Sequence, residues 1–155
     1  MDQYKDTDSK LEEFAGLIRE LTSVIRDITS IEREKAEAAS LGCHDQIDGF
    51  LKSGQVYLLK LRGLEKKRLM LADDLGFGGL TFRQILDQAE DSAKKQLAPL
   101  FADLEQELRA LQNAEDAAEK IIRVRLREFE YILSSENGPS SDGTDLGTHF
   151  HDRYV

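Results

Sequence analysis

Apolar residues recur at alternating intervals of three and four along the first part of the chain. The stripe consists of Leu11, Phe14, Ile18, Leu21, Ile25 and Ile28. This spacing places the apolar side chains on one face of an α-helix, which must be buried against another element. Ser9 and Glu12 match the capping-box pattern, so we expect a helix from about Ser9 to about Ala39, on the order of 45 Å long.

A second helix is predicted after a break at residues 41–45. Gly42 suits the position just after a helix, where φ is positive, and Asp45 is expected to cap the next helix. This second helix should run to about Leu75. Its apolar face comprises Ile47, Phe50, Leu51, Tyr57, Leu58, Leu61, Leu64, Leu71 and Leu75.

Glycines occur both within the second helix and at its end. Gly49, Gly54 and Gly63 lie inside it, and each costs about 1 kcal/mol relative to Ala in an exposed helix interior. Close approach of another helix would explain one of them, and tolerated local weakness is the alternative; the sequence leaves both open. Residues 76–79 read Gly-Phe-Gly-Gly and form the clearest break. No Lys-Ser/Thr pair follows and no strand precedes, so a phosphate-binding loop is excluded.

Two further helices follow this break. Thr81 and Gln84 form a second capping box, which predicts a short helix ending near Glu90. The last helix should start between Ser92 and Pro99, because proline is tolerated in a first turn or kinks the start. Its stripe comprises Leu97, Leu100, Phe101, Leu104, Leu108, Leu111, Ala118, Ile122, Leu126, Phe129 and Leu133.

The pattern predicts an all-α protein. We expect an antiparallel bundle of three long helices and one short helix over residues 1–133. Residues 134–155 are rich in Ser, Gly and Asp and are expected to form a disordered polar tail. A single extended dimeric coiled coil is the competing architecture, but the breaks at Gly42 and residues 76–79 argue against it.

Composition and charge limit the classes of partner that the chain is expected to bind. The 155 residues carry a net charge of −9, which argues against nucleic acid as the main partner. No apolar run approaches the roughly 20 residues that a membrane span needs, and the start of the chain lacks a signal-peptide pattern. Cys43 is the only cysteine, so no internal disulfide forms. We therefore expect a cytoplasmic protein that binds neither membrane nor nucleic acid.

No group of residues suggests catalysis. His149 and His151 lie in the predicted tail, where metal ligands would lack fixed geometry. Cys43 and His44 are adjacent in sequence, which rarely gives the geometry of an activated thiol. We expect no catalytic residues, no metal, no cofactor and no enzyme activity. The basic clusters at 66–68 and at Arg123, Arg125 and Arg127 are best explained by salt bridges within the bundle.

The last helix becomes apolar over a wider arc after Ala117. A second stripe appears there, consisting of Ala117, Ile121, Val124, Tyr131 and Ile132. Either two neighbouring helices bury this part of the helix, or it offers a face to a partner, and periodicity alone leaves both open. The candidate partner-binding residues are Ala117, Ile121, Val124, Glu128, Tyr131 and Ile132.

Taken together, the chain resembles the FlgN family of bacterial flagellar export chaperones. The resemblance covers about Leu11 to Leu133. Its elements are the Ala/Glu-rich segment 32–36, the pattern Leu58-x-x-Leu61-x-x-Leu64-Glu65-x-x-Arg68-x-x-Leu71, Gly76, the Leu-rich segment 80–86 and Asn113. The family often has a second Asn three positions after the first, where this chain has Asp116.

The resemblance implies a function that periodicity cannot show. Such chaperones are acidic, non-enzymatic proteins that hold hook–filament junction (hook-associated) proteins in the cytoplasm and deliver them to the export gate of the flagellar type III system. The family's substrate-binding region maps onto about Ala117 to Leu133, and Tyr131 is the nearest candidate for the gate contact. The alternative is a generic coiled-coil scaffold or adaptor that associates with itself, and a homodimer is compatible with both.

Overall fold

The computed structural model describes residues 2–136, apart from the side chains of Ile122, Phe129 and residues 133–136. The elements are α1 at Asp2–Ser40, α2 at His44–Asp74, α3 at Phe82–Gln88 and α4 at Asp91–Glu136. The predicted all-α bundle of three long helices and one short helix is confirmed. The last helix continues to Glu136, past the predicted limit at Leu133. The remainder of the predicted tail, residues 137–155, lies outside the described residues.

The central helix is α1, which packs along both α2 and α4. Phe14 contacts Phe101, and further along both helices Arg26 pairs with Glu107 at 2.9 Å. Because the partners advance in the same direction, α1 and α4 run parallel. The chain reverses at Gly42, so α2 runs antiparallel to both. Packing of α1 against two helices of the same chain excludes the single extended coiled coil.

Burial of α1 extends beyond the predicted stripe. Every residue of that stripe is buried except Leu11, which is half-buried, and the adjacent Leu17 and Val24 are buried as well. Thr22 and Thr29 also face the interior, and their hydroxyls donate to the carbonyl oxygens four residues earlier at 2.8 and 2.9 Å. The broad buried arc follows from the two neighbours of α1.

The start of α1 differs from the prediction. The helix begins at Asp2, so Ser9 lies in its interior and the Ser9–Glu12 capping box is wrong. Thr7 donates its hydroxyl hydrogen to a backbone carbonyl oxygen one turn earlier, and Lys10 pairs with a carboxylate one turn earlier at 3.3 Å. The negative charge of Asp2 in the first turn is attracted to the positive end of the helix dipole, which stabilises the start of α1. A capping pattern does not stop a helix from extending further towards the N-terminus.

Glycines end α1 and α2 in the same way. Gly42 and Gly76 have φ values of 74° and 80°, and the amide after each glycine donates to a carbonyl in the last helical turn at 2.8 and 2.7 Å. This is the Schellman arrangement, as predicted for Gly42. The predicted Asp45 cap is wrong, since α2 begins at His44 after Cys43 without a side-chain cap. Asp45 instead lies in the first turn of α2, where its negative charge interacts favourably with the positive end of the helix dipole.

Turn chemistry was predicted correctly for α3 but not for the start of α4. The Thr81–Gln84 capping box is present, with contacts of 3.0 and 3.3 Å, and α3 ends at Gln88. The last helix starts at Asp91, earlier than predicted, and Pro99 lies in its interior rather than its first turn. The turns of α4 that precede Pro99 bury Leu97 completely, which offsets the cost of the proline.

The short helix closes one end of the bundle through aromatic contacts. Phe82 of α3 stacks on Phe101 of α4, with ring centroids 4.4 Å apart, and Phe101 meets Phe14 of α1 edge-on. Arg68 of α2 lies over the Phe82 ring at 5.5 Å and donates two hydrogen bonds to Glu65. All four helices are therefore tied together at this end.

The first half of α2 is loosely packed. Its buried residues, Leu61, Leu64, Arg68 and Ala72, all lie in the second half. Leu51, which was expected on the core face, is exposed. A Cβ atom added at Gly49, Gly54 or Gly63 would contact nothing within 4 Å, so close helix packing within this chain does not explain these glycines.

Candidate protein-binding surface

The bundle is asymmetric because α4 is longer than its neighbour α1. The guanidinium of Arg125 donates to the carbonyl oxygen of Ser40, the last residue of α1. A cation is favourable at this negative end of the helix dipole. Ser40 and Arg125 therefore lie abreast, and residues 126–136 of α4, which we call the overhang, continue past α1 for on the order of 16 Å.

Burial along α4 decreases towards the overhang. Ala118 is the last residue among the described side chains that is fully buried, and Ile121 is half-buried. Beyond it, Val124 and Leu126 are each 53% exposed and Tyr131 is 77% exposed. Among residues 2–136, no pair of helices encloses the last part of α4, so its second apolar stripe is largely exposed there. The expectation that Leu126 belongs to the core stripe is wrong, because α1 has already ended.

The predicted partner-binding residues come together on one face. Ala117, Val124 and Tyr131 are seven residues apart, which is about two helical turns, and so share one side of α4. That side is well away from Leu104 and Leu111, which pack in the core. We call this surface the outer face of α4; it consists of Ala117, Ile121, Val124, Glu128, Tyr131 and Ile132. All are exposed except the half-buried Ile121. A shallow surface depression is lined by Arg127, Glu128, Tyr131 and Ile132.

Charged residues surround the outer face of α4 and are partly paired. Arg123 bridges to Glu119, and Arg125 lies 3.5 Å from Glu128. The predicted explanation of basic clusters as salt bridges within the bundle is confirmed for these arginines and for Arg68. Exposed pairs of this kind contribute about 0.2–0.5 kcal/mol each to the helix. They leave the apolar residues of the face accessible between charged neighbours.

A buried acidic contact lies just before this surface. The pKa of Glu115 is raised from 4.5 to about 6, mainly because the carboxyl is partly buried and also because Glu32 lies nearby, while Lys35 opposes the shift. Lys35 itself pairs with Glu32 at 2.9 Å. Glu115 is therefore a carboxyl that is easily protonated where α4 faces Glu32 and Lys35 of α1, whereas Asn113 and Asp116 beside it are exposed.

The described residues contain no arrangement typical of a metal site. Among residues 2–136, no three His, Cys, Asp or Glu side chains are placed to hold a metal ion. Cys43 is half-buried and His44 is exposed, at the junction of α1 and α2. His149 and His151 lie outside the described residues. None of the described helices combines the length and apolar character needed to cross a bilayer.

Sequence reasoning missed a second exposed apolar surface, on α2. Val56, Leu59 and Met70 are exposed and were not assigned to any face. Their spacing, together with Gly63 and Lys66, follows a heptad pattern that periodicity could have revealed. The stronger stripe of Leu61 and Leu64 on the opposite side of the helix masked it.

Comparison with known proteins assigns no family. No protein-family model, no curated protein and no solved structure matches the chain. The resemblance to FlgN chaperones therefore rests on the residues quoted above.

Proposed function

We propose that the protein is a cytoplasmic export chaperone. It binds hook–filament junction proteins and delivers them to the flagellar type III export gate. The observation that carries the proposal is the exposed outer face of α4, which continues into the overhang beyond α1. The FlgN resemblance assigns substrate binding to this same region, and the exposure of Val124 and Ile132 supports it. Apolar surface at a helix end is suited to binding another chain.

The mechanism that fits this surface is coupled folding and binding. A terminal segment of the junction protein, unfolded before export, would become ordered against the apolar residues of the outer face of α4. Covering that segment prevents premature polymerisation. The entropic cost of ordering lowers the affinity per unit of interface, so the substrate is released when the export gate engages it.

Tyr131 is our candidate for the contact with the export gate. It lies in the overhang and is 77% exposed. A tyrosine at a protruding helix end offers an aromatic ring and a hydroxyl to a second partner. Substrate and gate contacts on one overhang would allow direct transfer between them.

The test replaces apolar residues of the outer face of α4 and measures binding to purified junction proteins from the same bacterium by calorimetry. Val124→Asp with Ile132→Asp is expected to raise Kd at least about 30-fold, since two buried apolar contacts are lost. Ile121 is left unchanged because its partial burial would confound binding with stability. Circular dichroism should show unchanged helix content.

The matched control carries Val56→Asp with Leu59→Asp, which are similarly exposed but lie on α2. The Kd of this control for junction proteins should lie within about threefold of the Kd of the unmodified chain, which is a free-energy difference of about RT. Undiminished binding by the α4 variant would refute the assignment of the surface. A stable elongated dimer in light scattering, with no affinity for junction proteins, would instead establish the self-associating scaffold.

A further inference from the structure

The side of α2 that faces away from α1 carries its own apolar stripe. Val56, Leu59 and Met70 are 67%, 71% and 62% exposed. With Gly63 and Lys66 they are spaced three, four, three and four residues apart, which corresponds to the a and d positions of a heptad. The core residues of α2 lie on the opposite side. We call this surface the outer face of α2.

The charges around the outer face of α2 are almost all positive, in a chain of net charge −9. Between Gly49 and Ala72 the only acidic residue is Glu65, which is engaged by Arg68. The exposed cations are Lys52, Lys60, Arg62, Lys66 and Lys67. Within residues 2–136, none of these five lies within ion-pair distance of a carboxylate.

The position of these cations within the heptad is informative. Lys60 and Lys67 occupy e positions, and Arg62 occupies a g position, when Val56 is taken as a. Residues at e and g determine which helix pairs with which in a coiled coil. Acidic e and g residues on a partner helix would complement them. A second copy of this face would instead place these cations against one another, so charge disfavours a homodimer through it.

Gly63 lies at the centre of this face. It is exposed, and a Cβ atom added there would meet no neighbouring atom of residues 2–136 within 4 Å. Since internal packing does not account for this glycine, its lack of a side chain leaves room for a helix from outside to approach closely.

We propose that the outer face of α2 is a docking site for an amphipathic helix of a partner protein, with acidic residues flanking its apolar seam. The stripe from Val56 to Met70 spans two heptads, on the order of 21 Å. An interface of this length is small, so the interaction is transient, with Kd in the micromolar range. The site is separate from the outer face of α4 and does not depend on the proposed chaperone function.

The probe is a synthetic four-heptad peptide with Leu at a and d and Glu at e and g, labelled with a fluorophore. Fluorescence anisotropy with the full chain should show micromolar binding. A matched peptide with Lys at e and g should bind at least about tenfold more weakly. Leu59→Ser should weaken binding of the Glu peptide about tenfold, through lost apolar contact.

Charge reversal provides the decisive comparison. The triple variant Lys60→Glu, Arg62→Glu and Lys67→Glu should reverse the preference, so that the Lys peptide binds more tightly than the Glu peptide. A control with the same change in net charge at distant exposed sites should keep the original preference. It combines Arg19→Glu, Arg33→Glu and Arg83→Glu. Circular dichroism should show equal helix content for both variants.

Four outcomes would overturn the proposal. The Glu peptide could fail to bind, or the triple variant could keep the original preference, which would remove the role of the e and g cations. Dimerisation abolished by Leu59→Ser would identify a second copy of the chain as the occupant. Binding to phosphatidylserine vesicles without binding to the Glu peptide would identify an anionic membrane surface instead.

Discussion

At the scale of single residues, Glu115 links protonation to stability. Its pKa in the folded chain, about 6, lies above the ordinary value of 4.5, because the carboxyl is buried between α1 and α4 beside Glu32. Between these two pH values the folded chain binds more protons than the unfolded chain. Stability therefore falls as pH rises through this window, and the loss is complete above about pH 6.

Glu115→Gln should remove this dependence, because glutamine resembles the protonated carboxyl. We expect the variant to be more stable by about 1 kcal/mol at pH 7.5, after allowance for solvent screening, and unchanged at pH 4. Urea unfolding at both pH values measures this. Glu20→Gln, at an exposed position of α1, is the control. A Glu115→Gln chain that is equally stabilised at pH 4 would show a packing effect instead.

Local signals also explain which residue-level predictions succeeded. Gly42 and Thr81 were predicted correctly, because a positive φ and a capping box are decided within one turn of the chain. Ser9 and Asp45 were wrong, because their patterns are compatible with a cap but do not forbid helix on both sides. The electrostatic repulsion between Glu115 and Glu32 could not be predicted, since it depends on how α1 and α4 are aligned.

At the scale of elements, the sequence predicted how wide the apolar side of a helix is but not what packs against it. Helix α1 reads as a single stripe, yet it is buried on two sides because α2 and α4 both pack on it. Helix α4 reads as wider after Ala117, yet its second stripe faces outwards. Periodicity records which side chains share a face, whereas helix lengths and register decide what covers that face.

Pro99 is the element-scale feature with the clearest consequence. In the interior of α4 it lacks the amide hydrogen that would otherwise bond to the carbonyl of Lys95. Pro99→Ala should restore this bond and stabilise the chain by about 1–3 kcal/mol. Thermal unfolding followed by circular dichroism measures the gain. Gln106→Ala, further along the same helix and exposed, should change stability far less. If Pro99→Ala did not increase stability, that result would show that the proline itself helps to fix the start of α4.

At the scale of the whole molecule, the proposed binding surface arises from the unequal lengths of α1 and α4. The positions of the C-terminal ends of α1 and α4 were predicted to within a few residues. Their parallel alignment, which places Ser40 beside Arg125, was not predictable from either stripe. Because of this alignment, the last part of α4 extends beyond the end of α1, and the apolar residues near the end of α4 are exposed.

Ending the chain at Arg125 should therefore separate folding from binding. The shortened chain keeps every described residue that is fully buried, so its Tm should lie within about 3 °C of that of the full chain. It lacks Tyr131 and Ile132, and junction-protein binding should be lost. The outer face of α2 is intact, so the Glu peptide should still bind. Calorimetry, anisotropy and thermal unfolding test these three expectations on one protein. A fall in Tm of more than about 10 °C would mean that the overhang packs against the bundle and does not serve as the docking surface.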